Sequence, residues 1–391
     1  MRLAKFIGKK QTIRFPEGEV EIERLDDTAR VFVPQHLLVE RMNAEFWSSR
    51  WAPIYEILYR DRCPFEIRPL GDFIPEKVTR FGQEVPGITY GQVGERVYPP
   101  KGTKIVRRNG NVILKLPDGT KVAGVAYLQV RNLKRTGIDI FESPPEKRYI
   151  AEGSRNDPIR SRLMPGDLLL IRSGVGSLGR CTVVPNQIGL ANVSQHISRI
   201  VLDGLAPEWV ALFLQSRYGA AQMERWLAGV SGQVEIDFAE IRALLLPIPD
   251  EETQKAVACE YWRMAEYHEK AMQARARGDD IMAQEISLIA VGMLEVLLFQ
   301  VERLVEGYTK TVLPLMPEDA PEKLRNFLED EYRRIGELHQ ELEQTRPSEE
   351  DDRVEPRLLG IPTQRYEPVV REAERILRLV DSLRGEVVAA R

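Results

Sequence analysis

Residues 165–200 read PGDLLLIRSGVGSLGRCTVVPNQIGLANVSQHISRI, and two incompatible structures compete for them. Gly174, Gly176 and Gly179 spell GxGxxG after the strand-like run from Asp167 to Ile171. A dinucleotide-binding loop has that spacing, but it must open a helix whose N-terminus meets the pyrophosphate. Here the loop opens onto Arg180-Cys181-Thr182-Val183-Val184-Pro185, a β-branched run stopped by proline, which predicts a strand. The carboxylate that would hold a ribose about 20 positions on is missing; residues 190–200 contain no acid. The glycines are therefore predicted to turn a hairpin at positive φ. A nucleotide-dependent oxidoreductase using the loop 174–179 is the alternative reading.

The chain has 391 residues, enough for two or three domains, with 43% hydrophobic and 29% charged residues, as in a globular protein. Cys63, Cys181 and Cys259 are scattered and lack a CxxC pair. That excludes a disulfide framework or zinc knuckle and points to a reducing, cytoplasmic setting. The opening MRLAKFIGKKQ carries charge without an apolar stretch, so no signal peptide is expected. The apolar run 286–301 is short for a bilayer and contains Glu295 and Gln300, so no membrane association is expected. The net charge of −4 is unevenly spread. Residues 66–181 carry 20 Lys plus Arg against 12 Asp plus Glu, a net +8, which leaves −12 for the remainder. A basic part joined to an acidic part fits a nucleic-acid face on a protein that also holds protein partners.

Four regions follow along the chain. Residues 1–61 form a polar preface, with alternation at Val20-Glu21-Ile22-Glu23, and an amphipathic helix over 37–61 carrying Trp47, Trp51 and Tyr55. Residues 62–249 are mostly β. Asn109-Gly110 lies between two strand-like runs, 104–108 and 112–116, and is the strongest hairpin signal in the chain. Pro117-Asp118-Gly119 turns into a strand over 121–130. Two short helices over 207–228 and a strand over 244–249 complete the region. Residues 250–310 are predicted to be two long helices, with Asp250 as N-cap and Arg277-Gly278-Asp279 as stop and restart. The second is apolar around much of its circumference and must be covered on two sides. Residues 311–391 give an amphipathic helix, a charged linker over 345–363 and a final helix over 366–390. They either close over the preceding helices or form a dimerisation or partner-docking region.

No catalytic constellation is legible. Asn156-Asp157-Pro158-Ile159 lacks the second proline and the aromatic residue of an adenine-gripping tetrapeptide, and reads as a turn. Asp118 is explained by its turn, and Glu146-Lys147 makes no metal-nuclease cluster. His36, His196, His268 and His339 show no ligand spacing. No catalytic residue, metal or cofactor is expected in this chain.

Several motifs in order resemble one family. They are Asn43-Ala44-Glu45-Phe46-Trp47, then Val125-Ala126-Tyr127-Leu128-Gln129-Val130-Arg131-Asn132-Leu133, then the stretch 165–200 itself. Trp209 to Gly219 with Gln222, Gln233 to Ile236, and Pro247-Ile248-Pro249-Asp250-Glu251-Glu252-Thr253-Gln254 follow. Over about residues 40–257 this pattern resembles the target recognition domain of type I restriction-modification specificity subunits. The resemblance implies an α+β fold: a mixed β-rich recognition domain followed by long antiparallel helices that form a coiled-coil spacer. It implies a non-catalytic protein that binds double-stranded DNA and recruits a methyltransferase subunit, with a restriction or translocase subunit as a further partner. S-adenosylmethionine would then be bound by the methyltransferase partner. A different phage-defence complex is the alternative assignment for such a domain. The family reads two half-sites with two recognition domains, and only one is legible here. A half-size subunit that pairs with itself is therefore expected.

Arg can grip guanine with two hydrogen bonds, and Asn or Gln can do the same for adenine, while other contacts hold phosphates. The candidate DNA-binding residues are accordingly Arg107 and Arg108 on the hairpin, and Arg131, Asn132, Lys134 and Arg135 after the tyrosine-bearing strand. Arg172, Ser173 and Arg180 flank the glycine loop, Ser194, Gln195 and His196 follow it, and Gln233 lies further on. Arg107, Arg108, Arg131 and Arg135 are expected nearest the bases, with Gln195 and His196 partly structural.

Overall fold

A computed structural model describes residues 10–25, 28–35, 46–47, 51–59, 63–93, 98–108, 111–227, 235–317, 320–345, 359, 361–362 and 365–389. The fold is α+β.

The chain begins with an antiparallel meander of β1 (Lys10–Phe15), β2 (Gly18–Leu25) and β3 (Thr28–Phe32). Alternation sends Ile13, Phe15, Val20 and Ile22 to one buried face. The helix expected over 37–61 is shorter among the described residues, where only α1 (Ala52–Tyr59) is helical and Trp47 lies in a turn. In that turn Arg225, a distant residue, donates from Nε to the Phe46 carbonyl at 2.9 Å. The Arg225 guanidinium is 0% exposed, ion-paired with Glu17 at 2.8 Å and enclosed by Phe15, Phe46, Trp47 and Tyr55. A desolvated cation over several aromatic faces is held by their quadrupoles as well as by its counter-ion.

The β-rich unit contains β4 (Glu66–Pro69), β5 (Lys77–Arg80), β6 (Gln83–Pro86), β7 (Ile88–Tyr90), β8 (Lys104–Arg108), β9 (Asn111–Lys115), β10 (Lys121–Leu128), β11 (Tyr149–Ala151), β12 (Leu168–Ile171), β13 (Cys181–Val183), β14 (Ala191–Val193) and β15 (Ile197–Ile200). Two sheets carry it. One runs β11-β10-β9-β8, with β14 parallel to β10; the other runs β13-β12-β15-β7. Leu168–Ile171 is buried at every position, as befits a central strand covered on both faces. Two helices, α2 (Pro207–Gln215) and α3 (Arg217–Leu227), pack behind, followed by α4 (Phe238–Ala243) and β16 (Leu245–Ile248). β16 pairs antiparallel with β4, so the two ends of the unit meet.

The helices α5 (Glu251–Ala276) and α6 (Asp280–Val305) follow as a pair. Asp250 caps α5 by accepting from the Thr253 N–H at 2.7 Å, and Gly278 turns the chain at φ +82°. The helix α6 is long and apolar enough to cross a membrane, but much of it is buried within the protein. Its cover comes from α5 and from α7 (Glu322–Gln344) and α8 (Glu367–Ala389), which fold back over it. Two glycines set the approach of α6 and α7. A Cβ on Gly292 would meet the Tyr332 carbonyl oxygen at 1.9 Å, and one on Gly336 would meet that of Leu288 at 2.1 Å. The described part of residues 311–391 thus closes over the helix pair.

Gly292→Ala and Gly336→Ala should each destabilise the protein by about 1–3 kcal/mol, because the clash is with backbone that cannot rotate away. Thermal melting checks this, and the Gly204→Ala control, with nothing within 4 Å of the added Cβ, bears only the strain of its φ of +72°.

Candidate nucleic-acid interface

The glycine loop joins two antiparallel strands, β12 and β13, in register Leu168↔Val183. Gly174, Gly176 and Gly179 sit at φ +111°, +69° and +86°, conformations in which side-chain-bearing residues are strained. No helix begins at the end of the loop, as a pyrophosphate site there would require. The base of the loop is also covered by the chain itself. Leu178 bridges to Leu359, and the Ile361 side chain lies 3.0 Å from where a Gly179 Cβ would stand. Of the two structures open to residues 165–200, the hairpin is the one formed.

Many of the motif side chains are tied inside the unit. Asn132 is buried; its Oδ1 accepts from the Gln129 N–H at 2.8 Å and from Ser143 at 3.1 Å, and its amide donates to the Asp139 carbonyl. Arg172 is buried in an ion pair with Glu235, with its guanidinium over Tyr90 and Phe238. Ser173 is buried and bonds His196 Nδ1 at 2.6 Å, while Gln195 contacts His196 Nε2 at 3.2 Å. Ser194 is buried. Arg180 is half-buried and donates to the Gly176 carbonyl, bracing the loop. Lys134 is ion-paired with Glu142 at 3.4 Å. Gln233 and residues 43–45 of the first family-like motif lie outside the described residues. Asn132, Arg172, Ser173 and Ser194 were read as loop groups open to DNA. Here all four are buried, and Asn132, Arg172 and Ser173 are held by internal hydrogen bonds or an ion pair.

Arg135 is the largest departure from expectation. Its side chain is 13% exposed and pairs with Glu295 of α6 at 2.8 Å. Arg365 reaches the other Glu295 oxygen at 2.7 Å, and His339 of α7 lies within 3.4 Å. Arg135 also stands 3.2 Å from His339 Nε2. A guanidinium only donates, so that ring nitrogen accepts and the ring is neutral. Burial pushes the Glu295 carboxyl up, but Arg365 and Arg135 outweigh it and hold its pKa at about 2. His339 is depressed chiefly by burial. His268 is likewise depressed by burial; it bonds Thr136 at 2.9 Å and presses under Gly137, fixing α5 against the same loop.

What stays outside is the hairpin and its surroundings. β8 is exposed at all five positions and, among the described residues, forms an edge of its sheet. Alternation sends Arg107 to the same face as buried Leu114, where it donates to the Tyr149 hydroxyl at 3.1 Å. That face lines a cleft of about 860 Å³ against α5, bounded by Arg107, Val112, Ile138, Tyr261, Trp262 and His268. Arg108 points the other way. Arg131 is exposed on the 3-10 turn Val130–Asn132, positioned by the internal bonds of Asn132 beside it. Tyr149, which steers Arg107, was not legible as a site residue; only the strand register brings it near. Among the described residues no cluster of His, Cys, Asp or Glu has metal-binding geometry.

No protein-family model matches the sequence, and no curated protein matches it. Among solved structures, the chain is similar to one described with complex assembly and conformational transition of the type I R-M system. That match has 14% identity and a TM-score of 0.31, and covers 67% of this chain and 54% of that one. It is also similar to the type I restriction-modification S subunit from M. genitalium, at 10% identity and TM-score 0.31, covering 64% of this chain and 50% of that one. A third is the HsdS subunit from Thermoanaerobacter tengcongensis, at 15% identity and TM-score 0.29, covering 70% and 54%. The matched region spans about half the length of each of those chains. Likenesses of this strength carry no functional argument.

Two outcomes follow from these placements. Glu295→Gln should destabilise by about 3–5 kcal/mol in chemical denaturation, because two buried cations lose their counter-charge. Stability should also fall as pH drops below about 6.5, the ordinary histidine value. The unfolded chain takes up protons there that buried His268 and His339 refuse, so unfolding gains protons and acid favours it. A second loss belongs to Glu295, beginning near its ordinary value of about 4.3 and continuing toward about 2. A pH series of melting temperatures checks both steps.

Proposed function

We propose that this chain is a sequence-specific DNA-recognition subunit of the type I restriction-modification kind, without catalytic activity of its own. The observation that carries the reading is a division between two sets of polar side chains. Asn132, Arg172 and Ser173 of the motif stretches are spent on internal bonds that shape the unit, and Ser194 is buried beside them. Lys104, Arg108 and Arg131, from the basic part of the chain, stand exposed on an edge strand and a braced turn. A recognition domain needs that division, with a rigid frame and cations presented on it to a polyanion.

In this reading Arg108 and Arg131 are the base-contacting candidates and Arg107 is held in reserve by Tyr149. The helices α5 and α6 act as the spacer that docks a methyltransferase subunit, which would supply S-adenosylmethionine. A restriction or translocase subunit would join the same assembly in the cytoplasm. Two copies would read a bipartite, symmetric site. The oxidoreductase alternative has no supporting geometry, since the glycine loop opens a strand and is covered by Leu359 and Ile361.

The test is selection of bound sequences from a random duplex pool at two salt concentrations. A bipartite motif that persists at the higher salt is expected; recovery of no motif would contradict sequence recognition by this chain. Arg131→Ala should relax preference at one base pair by about 1–3 kcal/mol, whereas Arg135→Ala should lower stability and leave the selected motif unchanged. Competition binding with single-base variants of the site separates the two.

A further inference from the structure

We propose that Lys104, Lys115 and Lys121 form a rail that grips the phosphate backbone of duplex DNA whatever its sequence. The inference rests on the DNA-recognition reading and adds to it a contact made by β8, β9 and the start of β10 rather than by the motif stretches. The register is the main observation. Lys104 pairs with Lys115 across β8 and β9, and Lys115 pairs with Lys121 across β9 and β10. Three lysines therefore stand abreast on three neighbouring strands. All three are exposed, and among the described residues none has an acidic partner. The nearest acid in sequence, Asp118, accepts from the Thr120 N–H at 2.9 Å within its own turn.

Like charges directly opposite one another destabilise a sheet. The free protein thus carries a repulsion here that a single acid on β9 would relieve. The rail also lies on the right face. Strand alternation puts the three lysines opposite to buried Leu114, on the solvent side, with Arg108 two rows along on the same side. Strands about 4.8 Å apart make the row about 10 Å wide, and four residues along β8 add about 13 Å to Arg108. This cationic strip is flat and open, without the walls that a small anion needs. A duplex, with one negative charge per about 1.7 Å of axis, meets several of its cations at once.

The experiment compares wild type with the triple variant Lys104→Gln, Lys115→Gln, Lys121→Gln on a duplex carrying the selected motif and on an unrelated duplex, across salt concentrations. The slope of log affinity against log salt should become shallower by about 2–3 on both duplexes, because each lost phosphate contact removes about 0.9. The ratio of the two affinities should stay unchanged. The melting temperature of the free variant at low salt should equal or exceed that of wild type, which separates lost contacts from lost folding. An unchanged slope in a wild type that does bind would overturn the rail and leave DNA recognition standing. A changed preference between duplexes would make the lysines base readers and overturn their sequence independence. Loss of retention by phosphatidylserine vesicles with an unchanged duplex slope would assign the strip to a membrane surface instead. A wild type that binds no duplex would overturn both this inference and the reading beneath it.

Discussion

Glu295 is 1% exposed in the apolar middle of α6, and three separated parts of the chain converge on it. Arg135 comes from the β-rich unit, His339 from α7 and Arg365 from the segment before α8. A buried carboxylate is expensive to desolvate and is tolerated only where cations and hydrogen bonds surround it. That requirement fixes the relative placement of the three parts, since moving any one would strand a charge. The glycine contacts at Gly292 and Gly336 then bring α6 and α7 together at backbone distance. The β-rich unit is therefore joined to the helices by this charge cluster as well as by a shared apolar core, in which Leu168, Val183, Tyr261 and Met293 meet.

The second anchor is Arg225, which joins α3 to the N-terminal meander through Glu17 and an aromatic enclosure. Together the two buried arginine sites leave the β8–β9 hairpin as the part of the β-rich unit least committed to the interior. Its edge strand presents cations and the exposed apolar side chains Ile105 and Val106. An edge of this kind invites pairing with other chains, and its charges discourage that. The same charges suit it to a phosphate backbone. Rigid seating and a charged edge belong together, because a recognition surface discriminates only if its cations are held in place.

Much of this was legible in the sequence, for identifiable reasons. The run Cys181-Thr182-Val183 and the glycines before it follow local rules, and local rules were enough to reject a helix there. The hairpin around 109–110 was legible from its flanking strands, although the turn itself lies outside the described residues. Of the helix expected over 37–61, the described residues show α1 and a turn at 46–47, where Arg225, about 180 positions away, donates to the Phe46 carbonyl; residues 37–45, 48–50, 60 and 61 lie outside the described residues. Arg135 was expected near the bases, and its pairing with Glu295, 160 residues distant, leaves no local trace in the sequence. One signal did exist: a lone glutamate in the apolar run 286–301 must have a cation somewhere. The lysine row needed the register of three strands, which no single-strand pattern contains.

The claim at the centre is that this unit meets DNA with its hairpin and the 130–132 turn, while the Glu295 cluster only seats it. Amide hydrogen exchange, with and without the selected duplex, tests this directly. The account predicts slowed exchange over 104–121 and 130–132, with no change in the α6 amides around Glu295. Protection confined to the helices, or to the glycine loop 174–179, would contradict it.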